Sequence, residues 1–399
     1  MSPLFNQVPL RTRLANLRRD VETVANDLFG RRAPSFTVRT PGGRHSRTIP
    51  STKDLLAPRT VRIARVVRET ADAVSLELAF DGASPTFHPG QFMTLVVTID
   101  GETFRRAYSI HTAPHEGRIA VCVKRVKDGK VSGHLVDHAK EGDILQVLGP
   151  SGSFGLSPER PTPNRVVLVG GGSGITPLSS IAKTLLATDS ASKITLLFGN
   201  RTLDDVVFRA SLEELATEHP ERFELRHVLE SPPEGWLGSA GRLDAETCEK
   251  ELARIDGLES AEIFLCGPAG MMDAARAALA ARGLDETHVH EERFSSPGQR
   301  VEKSPTTPQP IVMKKNGKVL SVIANPGQTL LEAGLAANVE MPFSCAMGGC
   351  AACKVKLVSG EVASEEPNCL TKQERAEGWV LACVSRACGP ITVDVPEAS

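Results

Sequence analysis

The sequence predicts a multidomain chain in which an antiparallel β-barrel is followed by a doubly wound parallel α/β domain and then by a small α+β domain. Three observations carry this. Between Val61 and Val147 the chain is made of short β-type runs broken by Gly and Pro. Val74, Leu76, Leu78 and Phe80 alternate as one buried strand face requires, and Phe92–Ile99 forms a second run. From Arg165 to Phe294 strands and helical stretches alternate: Val166–Val169, Leu178–Leu186, Ile194–Phe198, Leu212–Leu215, Ile263–Leu265 and Ala274–Ala281. That is the pattern of a parallel sheet with helical crossovers. From Ile311 a hairpin signal, Asn316-Gly317, stands between two β-type runs.

At 399 residues the chain exceeds one ordinary core, and two to three domains are expected. Composition sets the boundaries: a basic extension at 1–58, the barrel at 59–160, the α/β domain at 161–294, a linker at 295–310 and the third domain at 311–399. The linker carries four prolines and almost no apolar side chains. In the extension Lys and Arg far outnumber Asp and Glu. There Leu14, Leu17, Val21, Val24 and Leu28 recur at helical spacing, predicting an amphipathic helix over 11–29. Such a helix packs on its own protein, or else docks a partner or a membrane surface.

The formal net charge of −2 gives no general reason to bind nucleic acid. No run approaches the ~18 apolar residues of a membrane span, and the N-terminus lacks a secretory apolar core. A soluble cytoplasmic protein is expected. Nine cysteines, four of them in or serving one C-terminal stretch, favour a metal or redox site over a disulfide framework.

Cys345, Cys350, Cys353 and Cys383 have the spacing C-x4-C-x2-C-x29-C, the plant-type [2Fe-2S] pattern. A structural zinc site would show two close pairs instead. The intervening Ala346, Met347, Gly348, Gly349, Ala351 and Ala352 are mostly small, so backbone N–H groups can close on the sulfurs. Spacing alone leaves Cys369 and Cys388 open as the fourth ligand. The stretches PFSCAMGGCAACKVKLVSGEV and GWVLACVSRA resemble the plant-type ferredoxin domain, an α+β β-grasp fold. That resemblance implies Cys383 as the last ligand and Cys369 and Cys388 as spare thiols.

Upstream, Arg105-Arg106-Ala107-Tyr108-Ser109 ends a β-run and is followed by Val123-Lys124-Arg125, by Gly129-Lys130-Val131-Ser132 and by Gly149-Pro150-Ser151-Gly152-Ser153-Phe154. In this order the segments resemble the ferredoxin–NADP reductase superfamily. The resemblance implies FAD on the barrel, with Arg106 on the pyrophosphate, Tyr108 along the flavin and Ser109 Oγ near flavin N5. Arg suits the first role through its planar, bidentate fork. Lys124 joins this cofactor set, and the segment ending at Ser132 corresponds to the helix start that receives the diphosphate. His111, where relatives more often carry a small residue, is expected at the isoalloxazine edge.

After Val166–Val169 comes Gly170-Gly171-Gly172-Ser173-Gly174-Ile175-Thr176-Pro177, a glycine turn entering a helix. Gly171, Gly172 and Gly174 allow close backbone approach, and Thr176 and Pro177 open a helix able to receive a pyrophosphate, with Pro177 suited to its first position. Cys266-Gly267-Pro268 and Met271 follow a later strand, and ligands gather at such strand ends. By the same resemblance Cys266 lies beside nicotinamide C4 and orients hydride transfer. Glu292 and Phe294, in HEERF, correspond to the motif next to the flavin, with Phe294 shielding the ring. The nicotinamide cofactor is NADPH or NADH. Gly199-Asn200-Arg201-Thr202 offers no carboxylate for a ribose 2′-hydroxyl, and Arg201 could take a 2′-phosphate, which favours NADPH.

The three motif groups resemble the reductase components of oxygenases, such as those of phenylacetyl-CoA and ketosteroid systems, and lipid-desaturase reductases. The function implied is electron transfer from NAD(P)H through FAD and [2Fe-2S] to a separate oxygenase, hydroxylase or desaturase. A P450 partner, a self-sufficient diaphorase or flavin reductase, and a redox sensor are the alternatives. A sensor has no use for a complete hydride-accepting site.

Overall fold

Alternating apolar side chains fold the first part of the chain into β1 (Arg59–Thr70), β2 (Ala73–Phe80), β3 (Phe92–Ile99), β4 (Glu102–Ser109), β5 (Ile119–Lys124) and β6 (Ile144–Ser151), with α1 (Lys130–His138) between the last two. This computed structural model describes residues 58–152, 154–156, 162–189, 191–294, 305–343, 348, 351–365, 368, 370 and 372–396. The expected helix at 11–29 lies outside them. The six strands form one antiparallel sheet in the order β4-β3-β6-β1-β2-β5, and a bridge between Ile110 and Val121 joins its two edges into a barrel. Val74, Leu76 and Leu78 are buried in its core with Ile63, Met93 and Leu95.

The second part alternates β7 (Arg165–Gly171), α2 (Ile175–Thr188), β8 (Lys193–Asn200), α3 (Arg209–Glu218), β9 (Phe223–Leu229), β10 (Ser239–Ala240), α4 (Ala245–Leu252), β11 (Glu262–Cys266), α5 (Ala269–Ala281) and β12 (Val289–Glu292). The sheet is parallel in the order β10-β9-β8-β7-β11-β12, so the chain reverses direction between β7 and β11. A crevice opens at the strand C-termini at such a switch point. Strands β9 and β10 and helix α4 escape the sequence pattern, because Glu224 and Arg226 interrupt β9's apolar positions.

The third part holds β13 (Gln309–Lys315), β14 (Lys318–Ala324), α6 (Leu330–Ala336), β15 (Lys354–Ser359), β16 (Val362–Ser364), α7 (Lys372–Ala376), β17 (Trp379–Leu381), β18 (Ser385–Ala387) and β19 (Ile391–Asp394). Its main sheet runs β14-β13-β19-β15-β17, and the buried residues of α6 join the same core as Ile311, Met313 and Val393. The expected hairpin is present, with Asn316 at φ 49° and Gly317 at φ 74° between paired Lys315 and Lys318. Both positive φ values suit a tight two-residue turn. β13 starts at Gln309, inside the stretch expected to be linker. Pro310 is tolerated there because β19 begins pairing only at Ile311.

Barrel and parallel sheet share a buried seam. Ala73, Cys122 and Phe154 of the barrel region pack with residues of β7 and α2, and Phe154 meets Phe264 edge to face at 5.6 Å. Ser180 Oγ donates to the Thr112 carbonyl at 2.7 Å. His111 is buried in this seam, its ring 4.5 Å from that of Phe208, and neither ring nitrogen has a hydrogen-bond partner among the described residues. Its surroundings are thus the apolar seam between the domains. Burial pushes its pKa down to about 3, with the Lys183 and Arg118 charges acting in the same direction.

The ring is therefore neutral in the fold but titrates near the ordinary 6.5 when unfolded. The unfolded chain binds the extra proton between these values, so His111 lowers stability as pH falls from about 6.5 to about 3. His111→Phe, which keeps the ring contact and cannot protonate, is expected to flatten the decline of the urea midpoint over that window. An unchanged slope would show that His111 has no part in it.

Candidate functional site at the switch point

Strand β11 pairs with β7 on one side and β12 on the other, which sets Cys266 beside both Gly170 and Glu292. The glycine turn packs against this strand end backbone to backbone. A Cβ on Gly174 would lie 1.9 Å from the Cys266 carbonyl oxygen, and one on Gly171 would lie 2.7 Å from Met271 Sδ and 2.8 Å from Pro268 Cδ. Glycine is needed at 174, where the neighbour is backbone, while at 171 the Met271 side chain and the Pro268 ring would have to shift. The same crowding meets Gly267, whose added Cβ would sit 2.9 Å from Gly171 N. Gly172, with a positive φ of 53°, opens toward free space. Helix α2 begins at Ile175, so Pro177 occupies its third position and not the first. An N–H there has no intrahelical acceptor, and the ring costs nothing. Thr176 Oγ1 donates to the Ser173 carbonyl at 2.9 Å and closes the turn.

From the barrel side, Ser109 at the end of β4 donates its hydroxyl to Glu292 Oε2 at 3.1 Å. Three residues from separate sequence motifs, Ser109, Cys266 and Glu292, thus meet at one point. Burial raises the Cys266 thiol well above its ordinary value, and the Glu292 charge adds to this, so the sulfur stays protonated within the apolar core beneath the strand ends. Phe294 follows β12 and remains 48% exposed.

Along β4, Arg106 and Tyr108 project on the same face, two residues apart. Burial draws the Arg106 guanidinium below its ordinary pKa, opposed by Tyr108 and by Glu365. Burial also pushes the Tyr108 phenol up, against the Arg106 charge. Arg106 and Lys130, the first residue of α1, both lie over the Phe104 ring, at 5.9 Å and 4.9 Å. That helix begins after Gly129 without a side-chain cap. Ser132 Oγ turns inward, accepting from Val126 N at 3.0 Å and donating to Gly129 O at 3.3 Å. An uncapped helix start and a guanidinium are the two kinds of group that suit a diphosphate. Lys124 does not join them: its Nζ is 2.6 Å from Asp72 Oδ1 and ties β5 to the turn after β1.

Arg201, the first residue past β8, has its Nη2 2.7 Å from Asp205 Oδ1 and 3.6 Å from Asp72 Oδ2. The expectation that no carboxylate stands at this strand end is corrected here. Asp205 lies just beyond the four residues that expectation covered, in a short turn over Leu203–Asp205 that folds back on Arg201.

In the third domain Cys353 and Cys383 are buried with their sulfurs 3.1 Å apart. That is well beyond the ~2.05 Å of a disulfide, and the close pairing of two thiols fits ligands of a shared metal. Gly348 N donates to Cys383 Sγ at 3.2 Å, the hydrogen bond expected from the small-residue loop. Cys388 is exposed, its Sγ 3.9 Å from the Arg386 carbonyl. Cys345, Cys350 and Cys369 lie outside the described residues. Where this domain faces the barrel, Arg105 Nη1 meets Glu332 Oε1 at 3.4 Å. Glu332 also caps α6, accepting from Thr329 N at 3.0 Å.

Three family models match the chain in succession. Residues 60–155 match the family described as an oxidoreductase FAD-binding domain, 168–277 an oxidoreductase NAD-binding domain, and 313–388 a 2Fe-2S iron-sulfur cluster binding domain. One subunit of the 1,2-phenylacetyl-CoA epoxidase of Escherichia coli is 35% identical over 84% of this chain and 96% of its own. The ferredoxin reductase component of the Mycobacterium tuberculosis 3-ketosteroid-9-alpha-monooxygenase is 36% identical over 82% of this chain and 92% of its own. Among solved structures, phthalate dioxygenase reductase superposes with a TM-score of 0.56 at 25% identity, covering 85% of this chain and 98% of that one. With three cofactor domains in this order and such identity along most of its length, the chain belongs to the family of FAD- and [2Fe-2S]-containing NAD(P)H reductase components of oxygenase systems.

Proposed function

We propose that this chain draws electrons from NAD(P)H at the β7–β11 switch point and delivers them singly, through its C-terminal domain, to a separate oxygenase or hydroxylase. The observation that carries this is the convergence of Ser109, Cys266 and Glu292, with Ser109 Oγ 3.1 Å from Glu292 Oε2 across the barrel–sheet boundary. When bound, the flavin supplies exchange between two-electron and one-electron chemistry and the cluster supplies the one-electron exit. The remaining roles belong to side chains. Arg106 grips the flavin pyrophosphate with the first-turn amides of α1, and Tyr108 walls the ring. Cys266, held neutral, presses the nicotinamide into register without competing as a nucleophile. Ser109 Oγ, with Glu292 as acceptor, holds a proton at the edge of the flavin site. Glycines 171, 172 and 174, with Thr176, Pro177, Gly267, Pro268 and Met271, shape the diphosphate and nicotinamide seat, and Phe294 covers the ring. Cys345, Cys350, Cys353 and Cys383 hold the cluster.

A cytoplasmic location is proposed with this reading. No helix among the described residues is long and apolar enough to cross a membrane. A desaturase partner, with residues 1–58 at the membrane surface, is the variant of the same function.

Cys383→Ser is expected to abolish the [2Fe-2S] signal in electron paramagnetic resonance while Cys388→Ser and Cys369→Ser leave it. Retention in the first variant overturns the ligand assignment. Division of labour is tested by a fragment ending at Phe294. It should bind FAD and reduce ferricyanide with NAD(P)H at close to the full-chain rate, yet reduce cytochrome c poorly and fail to support an oxygenase. Full oxygenase turnover by the fragment would remove the cluster from the exit path. Ser109→Ala is expected to slow hydride transfer in stopped flow by roughly 10²-fold, the scale of a positioned proton-transfer group. FAD content should be unchanged, and an unaltered rate would exclude the role given to Ser109 Oγ.

A further inference from the structure

We infer that Asp205 selects the unphosphorylated ribose, so that NADH and not NADPH is the preferred electron donor. The inference rests on the reading of the parallel sheet as the nicotinamide site. In a doubly wound sheet the strand next to the glycine-loop strand ends at the adenosine ribose, and the groups there read its 2′ position. Here that strand is β8, paired with β7 along its length, and its end is followed by Arg201.

The cation that would take a 2′-phosphate is already engaged. Arg201 Nη2 faces Asp205 Oδ1 at 2.7 Å and Asp72 Oδ2, from the barrel, at 3.6 Å. Asp205 is fixed in place, because Thr202 Oγ1 donates to its other oxygen at 2.9 Å. Asp72 stays ionised: burial acts to raise its pKa, but the hydrogen bonds from Lys124 and Thr70 and the charges of Lys124 and Arg201 hold it below the usual carboxylate value. Arg201 and Lys124 are therefore matched by Asp72 and Asp205, and Asp204 adds a further negative charge beside them in the sequence. A dianionic 2′-phosphate meets no net positive field at this corner and must break the Arg201–Asp205 pair to gain a guanidinium. A 2′-hydroxyl meets the opposite situation. A carboxylate offers about four lone-pair sites, so Asp205 can accept a further hydrogen bond while keeping Arg201 and Thr202. Arg201 is then a positioning residue that holds Asp205 toward the ribose.

The test is calorimetric titration of the full chain with ADP-ribose and with 2′-phospho-ADP-ribose, which need no turnover. The wild-type chain should bind ADP-ribose more tightly. Asp205→Asn should tighten the phosphorylated fragment by about fivefold, the scale of an exposed ion pair, and weaken ADP-ribose. Asp205→Glu, which keeps the charge, should keep the preference. The kcat/KM ratio for NADH over NADPH should move in the same direction. Tighter binding of the phosphorylated fragment by the wild-type chain, or an equal effect of Asp205→Asn on both fragments, overturns the inference. Binding of neither fragment, together with no oxidation of either nucleotide, overturns the nicotinamide reading beneath it as well.

Discussion

Backbone meets backbone where β7 and β11 end, and the rest of the site is arranged around that contact. A methyl group on Gly174 would lie 1.9 Å from the Cys266 carbonyl oxygen, so the glycine turn cannot be relaxed by a side-chain adjustment. This approach holds Cys266, fully buried, directly beneath the glycine turn that leads into α2. It also fixes the position of β12, and so of Glu292, through the β11 ladder. The barrel then needs only one residue at the right place, Ser109 at the end of β4, to complete the group.

What keeps the barrel in register is a seam that is apolar but contains polar groups. Phe154 against Phe264 supplies directional ring packing, and Ser180 on the Thr112 carbonyl supplies a buried hydrogen bond. His111 is carried in this seam as a neutral ring. Half a site on each domain is useful only if the seam does not slide, and close-packed interiors resist such sliding.

Much of this was legible in the sequence where the signal is local. The strand and helix alternation gives the parallel sheet, the Asn316-Gly317 pair gives the first hairpin of the third domain, and the C-x4-C-x2-C-x29-C spacing points to the pair of sulfurs that the fold brings to 3.1 Å. The illegible parts are those decided by distant partners. Lys124 reads as a phosphate ligand until Asp72, from another hairpin, is seen to hold it. Arg201 reads as a free cation until Asp205 and Asp72 close on it from two domains. His111 meets Phe208, whose place over the barrel depends on how the parallel sheet docks. Strand β9 was hidden because Glu224 faces solvent and Arg226 is drawn in by the Glu251 and Arg254 carbonyls, partners no local pattern shows.

The Arg105–Glu332 pair between the barrel and the third domain has a consequence for traffic within the molecule. Both side chains are partly exposed, and pairs of this kind contribute at most about 1 kcal/mol. Glu332 is also the capping group of α6, so the helix start that contacts the barrel keeps its structure whether or not Arg105 is near. A contact that is weak, charged and independent of local folding behaves like the encounter between two separate redox proteins. The hold of this pair on the third domain is thus sensitive to ionic strength, because salt screens exposed charges over about 10 Å at 0.1 M.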